Sequence, residues 1–245
     1  MGSSISNTRG FTLVEISIVM IIIGLLIGGT FGGMKLIENM QVNKTVQDLK
    51  AIETAALTFK DTYGRLPGDM PNTAARLPNC TVAPCSTGGN GNRALDNTVD
   101  WTEAINDTNE KFTFWHHLTA AGFIEGLVKP TTNMEFGEGS PNARLGTGGY
   151  RMTYIPQSGI WVPGDNGGKF SHFTLIVNEP SIGIVGWDNR SMEGYIASKI
   201  DRNIDDGKPI TGKVRSNCQT ALSINAEYTP DSISCLSYLY YQNRW

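Results

Sequence analysis

An apolar run of about 24 residues beginning at Phe11 constrains this chain more than any other feature, because a helix of that length crosses a bilayer core of about 30 Å. Between Phe11 and Met34 the only charge is Glu15, and the next charged residue is Lys35. The run exceeds the roughly 7 to 15 apolar residues of a removable signal peptide, and Met34, Lys35 and Leu36 at its exit form no small-x-small cleavage pattern. It is therefore read as a retained membrane segment. The short polar stretch MGSSISNTRG ahead of it carries one charged side chain, Arg9, which places that end in the cytoplasm and the residues after Lys35 on the far side. A carboxylate within such a helix costs roughly 2.5 to 3.5 kcal/mol on insertion scales, so Glu15 needs a partner, a functional reason or a snorkelling position near the interface.

Beyond the membrane run, Val42, Val46, Leu49, Ile52, Ala56, Phe59 and Tyr63 recur at steps of four and three, which puts them on one stripe of a helix. The helix is expected to continue to about Tyr63 and to stop at Gly64 and the following Leu66-Pro67-Gly68. From Phe11 it would be near 80 Å long at about 1.5 Å per residue, so its second half must pack its stripe on a folded domain. Three heptads without charged flanks make a poor coiled coil. Residues 64–110 are rich in Pro, Gly, Asn and Thr and read as a long loop. KFTFWHHLTAAGFIEG predicts a short helix ending near Gly122. His116 and His117 point to different faces of that helix, so they suit packing or the surface better than one shared metal. From Gly149, the runs YRMTYI, GIWV, FSHFTLIV and IGIVGW predict an antiparallel sheet of three or four strands, with further short strands in GKVRS and SCLSYLYY. Between them a helix is expected over Arg190 to Ile200, with Met192, Tyr195, Ile196 and Ile200 on one side. The plan is α+β: one long N-terminal helix packed on a small antiparallel sheet.

Four cysteines form two local pairs, Cys80 with Cys85 and Cys218 with Cys235, and an even count fits disulfides in an oxidising compartment. The alternative is a zinc site, which the spacing and the lack of a histidine in the cysteine loops disfavour. Net charge is -3, with 20 basic residues scattered among 23 acidic ones, so nothing here predicts nucleic acid as a partner. Asp201, Asp205 and Asp206 stand just ahead of Gly207, an oxygen-rich arrangement that suits calcium, although Lys199, Arg202 and Lys208 between them can neutralise it and an Asp-Gly turn explains it without metal. No other cofactor is expected. The chain lacks G-x-S-x-G, H-E-x-x-H and phosphate-binding glycine motifs, so no enzyme is expected.

The segment GFTLVEISIVMIIIGLL, Gly10 to Leu26, resembles the processing site of type IV pilins and type II secretion pseudopilins. The resemblance implies cleavage by a prepilin peptidase between Gly10 and Phe11, and methylation of the new amino group of Phe11. Glu15 then lies one turn from a free ammonium, within reach of its own chain's or a neighbour's, and the resemblance implies an intersubunit salt bridge that sets stagger in a filament. It also implies a pilin-like fold divided into a leader (1–10), a transmembrane half-helix (11–37), a periplasmic half-helix (38–63) and a globular domain (64–245). The expected partners are other copies of this chain or related pilins, the peptidase, the inner-membrane assembly platform and membrane lipid. The expected location is the inner membrane with a periplasmic domain, then a filament. The acidic segment resembles in position the calcium loop of major pseudopilins. Unlike many such helices this one has no proline near its middle and carries Gly24, Gly28, Gly29, Gly32 and Gly33, a weak place in the helix or a close-packing register. The rival reading is a membrane-tethered periplasmic binding or enzyme domain with an uncleaved anchor.

Overall fold

A computed structural model describes residues 10–95, 110–127, 136–145, 148–155, 171–177, 192–216 and 239–243. Helix α1 runs from Leu13 to Tyr63. It ends as the sequence predicts: Gly64 takes φ +71° and its N–H closes on the Lys60 carbonyl at 2.8 Å, a left-handed stop that glycine makes without steric cost. The chain divides into two compact units, Met1–Met40 and Gln41–Trp245.

In the first unit, every residue from Phe11 to Ile37 is exposed. Among the described residues, α1 is the one helix long and apolar enough to cross a membrane. Its hydroxyls are arranged for an apolar surrounding. Ser17 Oγ donates to the Val14 carbonyl and Thr30 Oγ1 to the Leu26 carbonyl, each at 2.8 Å, so neither hydroxyl needs water.

In the second unit, the predicted stripe of α1 is buried: Val42, Val46, Leu49, Ile52, Ala56 and Phe59 form one core with residues of every larger element that follows. After α1 come the short helix α2 (Thr73–Arg76), a 3-10 turn (Cys85–Thr87), helix α3 (Glu110–Ala120), strands β1 (Gly149–Ile155) and β2 (Ser171–Val177), helix α4 (Gly194–Ile204), and strands β3 (Val214–Ser216) and β4 (Leu239–Gln242). The segment 64–95 read as plain loop thus contains α2 and the 3-10 turn. The expected strands at 159–162 and 182–187 lie outside the described residues.

The strands make one antiparallel sheet in the order β1-β2-β4-β3. Register places Met152 beside Thr174, Thr174 beside Tyr241, and Tyr241 beside Val214, so one row crosses all four strands on the same face. All four side chains are buried. The polar member of the row is satisfied, since Asn243 Nδ2 donates to Thr174 Oγ1 at 3.0 Å. Two polar ties join α1 to the sheet. Tyr150 OH donates to Asp48 Oδ2 at 3.3 Å, and Glu53 accepts the Tyr241 hydroxyl at 2.6 Å and pairs with Lys213 Nζ at 3.1 Å.

Helix α4 differs from the expected Arg190–Ile200 by starting at Gly194 and running to Ile204. The extra turn follows from Asp201, which is fully buried beside Ala197 and Ile200 and so belongs to the packed face of the helix.

Candidate functional site

Three places carry the candidate chemistry: the start of α1, the Cys80–Cys85 loop, and the acidic turn after α4. At the first, Phe11 is 83% exposed, and a Cβ built on Gly10 meets nothing within 4 Å, so the fold itself does not require a glycine there. Glu15 has a partner that the charge argument overlooked. Its Oε2 accepts the Thr12 N–H at 2.8 Å and the Thr12 hydroxyl at 2.9 Å, while Thr12 Oγ1 accepts the Glu15 N–H at 3.2 Å. This is a reciprocal capping box, and its signature, Thr12-Leu13-Val14-Glu15 ahead of an apolar run, was present in the sequence. In the single chain the carboxylate therefore caps its own helix, with Thr12 rather than Phe11 as its partner.

At the second place, Cys80 and Cys85 form a disulfide, as expected. Cys218 and Cys235 lie outside the described residues. The expectation that no histidine stands near the cysteine loops needs correction for this pair, because the fold carries His117 to it. His117 Nδ1 accepts the Gly68 N–H at 2.7 Å, and Nε2 faces the Cys85 carbonyl at 3.2 Å, so the ring is neutral with its proton on Nε2. One imidazole thus ties α3 to the turn after α1 and to the disulfide loop, the packing role expected for it. Thr73 Oγ1 donates to the same Cys85 carbonyl at 2.8 Å. His116 is also buried, and its Nε2 has no hydrogen-bond partner among the described residues.

Burial pushes both imidazoles down to about 4, and for His117 the neighbouring His116 adds to the effect. Folded values below the unfolded value of about 6.5 mean that the unfolded chain binds the extra protons. This contribution to stability is therefore complete above about pH 6.5 and is lost as pH falls toward about 4, at up to roughly 1.4 kcal/mol per pH unit for each histidine. Asp69, whose carboxyl burial raises, acts with the opposite sign at the acidic end. We expect the melting temperature to fall between about pH 7 and about pH 5, and to fall less steeply in His116→Gln. A level profile would show that the two rings are hydrated.

At the third place, Asp201, Asp205 and Asp206 bring carboxylate oxygens within 4.8 Å of one another, with Asp201 buried and the others exposed. Their own loop already donates to them. Gly207 N–H reaches Asp201 Oδ1 at 3.1 Å, Lys208 N–H reaches Asp206 Oδ1 at 2.9 Å, the Thr211 hydroxyl reaches Asp206 Oδ2, and the N–H groups of Lys213 and Val214 reach Asp205 Oδ2. The Asp-Gly turn predicted as the metal-free alternative is thus formed, with Gly207 at φ +73°. The donors are carboxylate oxygens, the type that hard cations take.

Residues 5–31 match the family described as the prokaryotic N-terminal methylation motif, which is the prepilin-type cleavage and methylation signal of type IV pilins and pseudopilins. The match spans residues 5–9, Gly10, Phe11, the capping box and α1 as far as Phe31. It supports reading the chain as a precursor with a type IV pilin- or pseudopilin-type signal, over 27 of its 245 residues. The comparison with curated proteins gives no match, and neither does the comparison with solved structures.

Proposed function

We propose that this chain is a structural subunit, a pilin or pseudopilin, of a type IV pilus-like or type II secretion filament, and not an enzyme. One observation carries the reading: the methylation motif at 5–31 coincides with the start of the exposed apolar stretch of α1, residues 13–37, in which the single acid is Glu15. In this account a prepilin peptidase cuts between Gly10 and Phe11 and the new amino group of Phe11 is methylated. Residues 11–37 hold the subunit in the inner membrane, with the domain in the periplasm. Assembly with copies of itself or related pilins, at an inner-membrane platform, moves the apolar surface of α1 from lipid into a filament core. Burial there stabilises the assembly only if the carboxylate finds a charge, and the Phe11 ammonium of a neighbour supplies it.

Gly10 is the test of the processing step. The fold leaves room for a side chain at this position, so Gly10→Val alters only how a peptidase meets the backbone. Full-length precursor should accumulate in the membrane, seen as the unshifted band on a gel. Mature-size protein appearing at the normal rate would contradict the proposed cut.

Calcium is an optional ligand in this account, held by Asp201, Asp205 and Asp206. A ligand that binds only the folded state raises its stability, by about 2.7 kcal/mol at a hundredfold excess over Kd. Millimolar calcium should raise the melting temperature of the protein above that measured with chelator, and Asp206→Asn should remove the difference. Equal melting temperatures for the parent protein would strike calcium from the account.

A further inference from the structure

We propose that the seam between α3 and the segment 66–95 is an acid-released latch closed by His117: when its ring takes a second proton, the segment and its Cys80–Cys85 loop open away from α3 while the sheet and the buried stripe of α1 stay folded. Three ties cross this seam through titratable side chains of α3. His117 Nδ1 accepts the Gly68 N–H at 2.7 Å, His117 Nε2–H donates to the Cys85 carbonyl at 3.2 Å, and Glu110 Oε1 accepts the Asn90 N–H at 2.7 Å. His117 and Glu110 are both buried.

The polarity of the His117 bridge is what makes it a latch. A neutral imidazole has one donor and one acceptor, and the seam offers it one carbonyl and one N–H. An imidazolium has two donors, so its Nδ1–H would point at the Gly68 N–H, with no acceptor there and a buried charge to solvate. Only turning the ring into water, which parts the seam, relieves both. The elements packed on His117 bring no counter-charge. Phe59 of α1 stacks on the ring at 6.2 Å, the 3-10 turn offers the Cys85 carbonyl beside a disulfide, and the turn after α1 offers the Gly68 N–H. The titratable group whose charge bears on the ring is His116, which opposes protonation. At the other end of the seam, Glu110 becomes a weaker acceptor when it gains a proton, so acid loosens both ends together.

The segment holds itself together without α3. Gly89 N–H and Gly91 N–H bond the carbonyls of Met70 and Asp69 at 2.9 Å each, Thr73 Oγ1 donates to the Cys85 carbonyl, and the disulfide closes the loop between. Opening therefore parts the seam amides, Gly68 and Asn90, and spares those inside the segment. Because burial holds the His117 ring down at about 4 in the closed state, against about 6.5 when it is free in water, the open state gains protons as pH falls below about 6.5. Between pH 7 and pH 5 the open population should rise about twentyfold for each histidine that opening frees.

The test is residue-resolved hydrogen exchange on the full-length protein in detergent micelles, corrected for the intrinsic pH dependence of exchange. Protection at Gly68 and Asn90 should fall at least tenfold from pH 7 to pH 5, while Leu49 in α1 and Thr174 in β2 keep theirs. His117→Gln should abolish the pH dependence at Gly68, because an amide side chain accepts and donates as the neutral ring does but takes no proton in this range. Unchanged protection at Gly68, equal loss at Leu49 and Thr174, or an undiminished pH dependence in a folded His117→Gln each overturns the proposal. Should that variant not fold, nitrogen-15 NMR of the parent imidazoles decides. The His117 ring must take its proton together with the loss of protection at Gly68, and a ring that titrates while Gly68 stays protected overturns the latch.

Discussion

A strain whose only copy of this protein carries Glu15→Ala should hold a normal pool of processed subunit in the membrane and incorporate at least tenfold less of it into filaments. Removing the carboxylate makes insertion of the helix easier, since an acid in an apolar span costs a few kcal/mol. The core of the folded unit starts at Val42 and does not include this side chain. Locally the change removes one half of the capping box with Thr12, worth about 0.5 to 2 kcal/mol to the first turn. Between subunits of the proposed filament it would remove a charge-assisted contact worth about 1.5 to 3 kcal/mol, a factor of ten or more per joint. Thr12→Val separates the two effects, because it breaks the box and keeps the carboxylate. Incorporation should survive Thr12→Val and fail in Glu15→Ala. Normal incorporation of Glu15→Ala as sole copy would end the register role, and loss of its membrane pool would place Glu15 in processing or stability instead.

A large stability effect is expected at Gly68. Its φ is +86°, and an added Cβ would stand 2.3 Å from the Glu110 carbonyl oxygen and 2.8 Å from Leu95 Cδ2. The first of these is backbone and cannot turn aside. The same residue donates its N–H to His117, so displacing it also weakens the tie between α1's exit, α3 and the disulfide loop. Left-handed strain and overpacking together should cost about 3 to 5 kcal/mol, lowering the melting temperature of Gly68→Ala by roughly 10 °C. Gly64→Ala is the matched control: φ is +71°, but nothing lies within 4 Å of its Cβ, so only the conformational cost of about 1 to 2 kcal/mol should appear. Equal losses at the two positions would show that the close approach at Gly68 relaxes without difficulty.

Local signals were readable in the sequence and long-range ones were not. The stripe from Val42 to Phe59 gave the buried face of α1 because one helix carries its own periodicity, and Gly64 gave its end. Strands β1 and β2 appeared as runs of β-formers, but β4 lies between β2 and β3, a pairing set by contacts distant in the chain that no local pattern encodes. The nearness of His117 to Cys85 has the same origin, since α3 must fold back on the loop before the two can meet. The extension of α4 through Asp201 was hidden because an acid ordinarily signals a surface turn, and here it is buried. The capping box was legible but was masked by its own residue: a charge in a membrane helix draws attention to distant ammonium groups before the threonine three positions away. The match at 5–31 covers the start of α1, whereas the second half of that helix and the sheet rest on packing alone.

The central claim is that the working subunit begins at Phe11. Intact mass and N-terminal sequencing of the protein, taken from membranes of a host that has prepilin peptidase, test it directly. The account predicts a chain that starts with N-methylated Phe11 and lacks residues 1–10. A chain that still carries Met1 through Gly10, with an unmethylated Phe11, would contradict it and would make the long helix a plain anchor for a periplasmic domain.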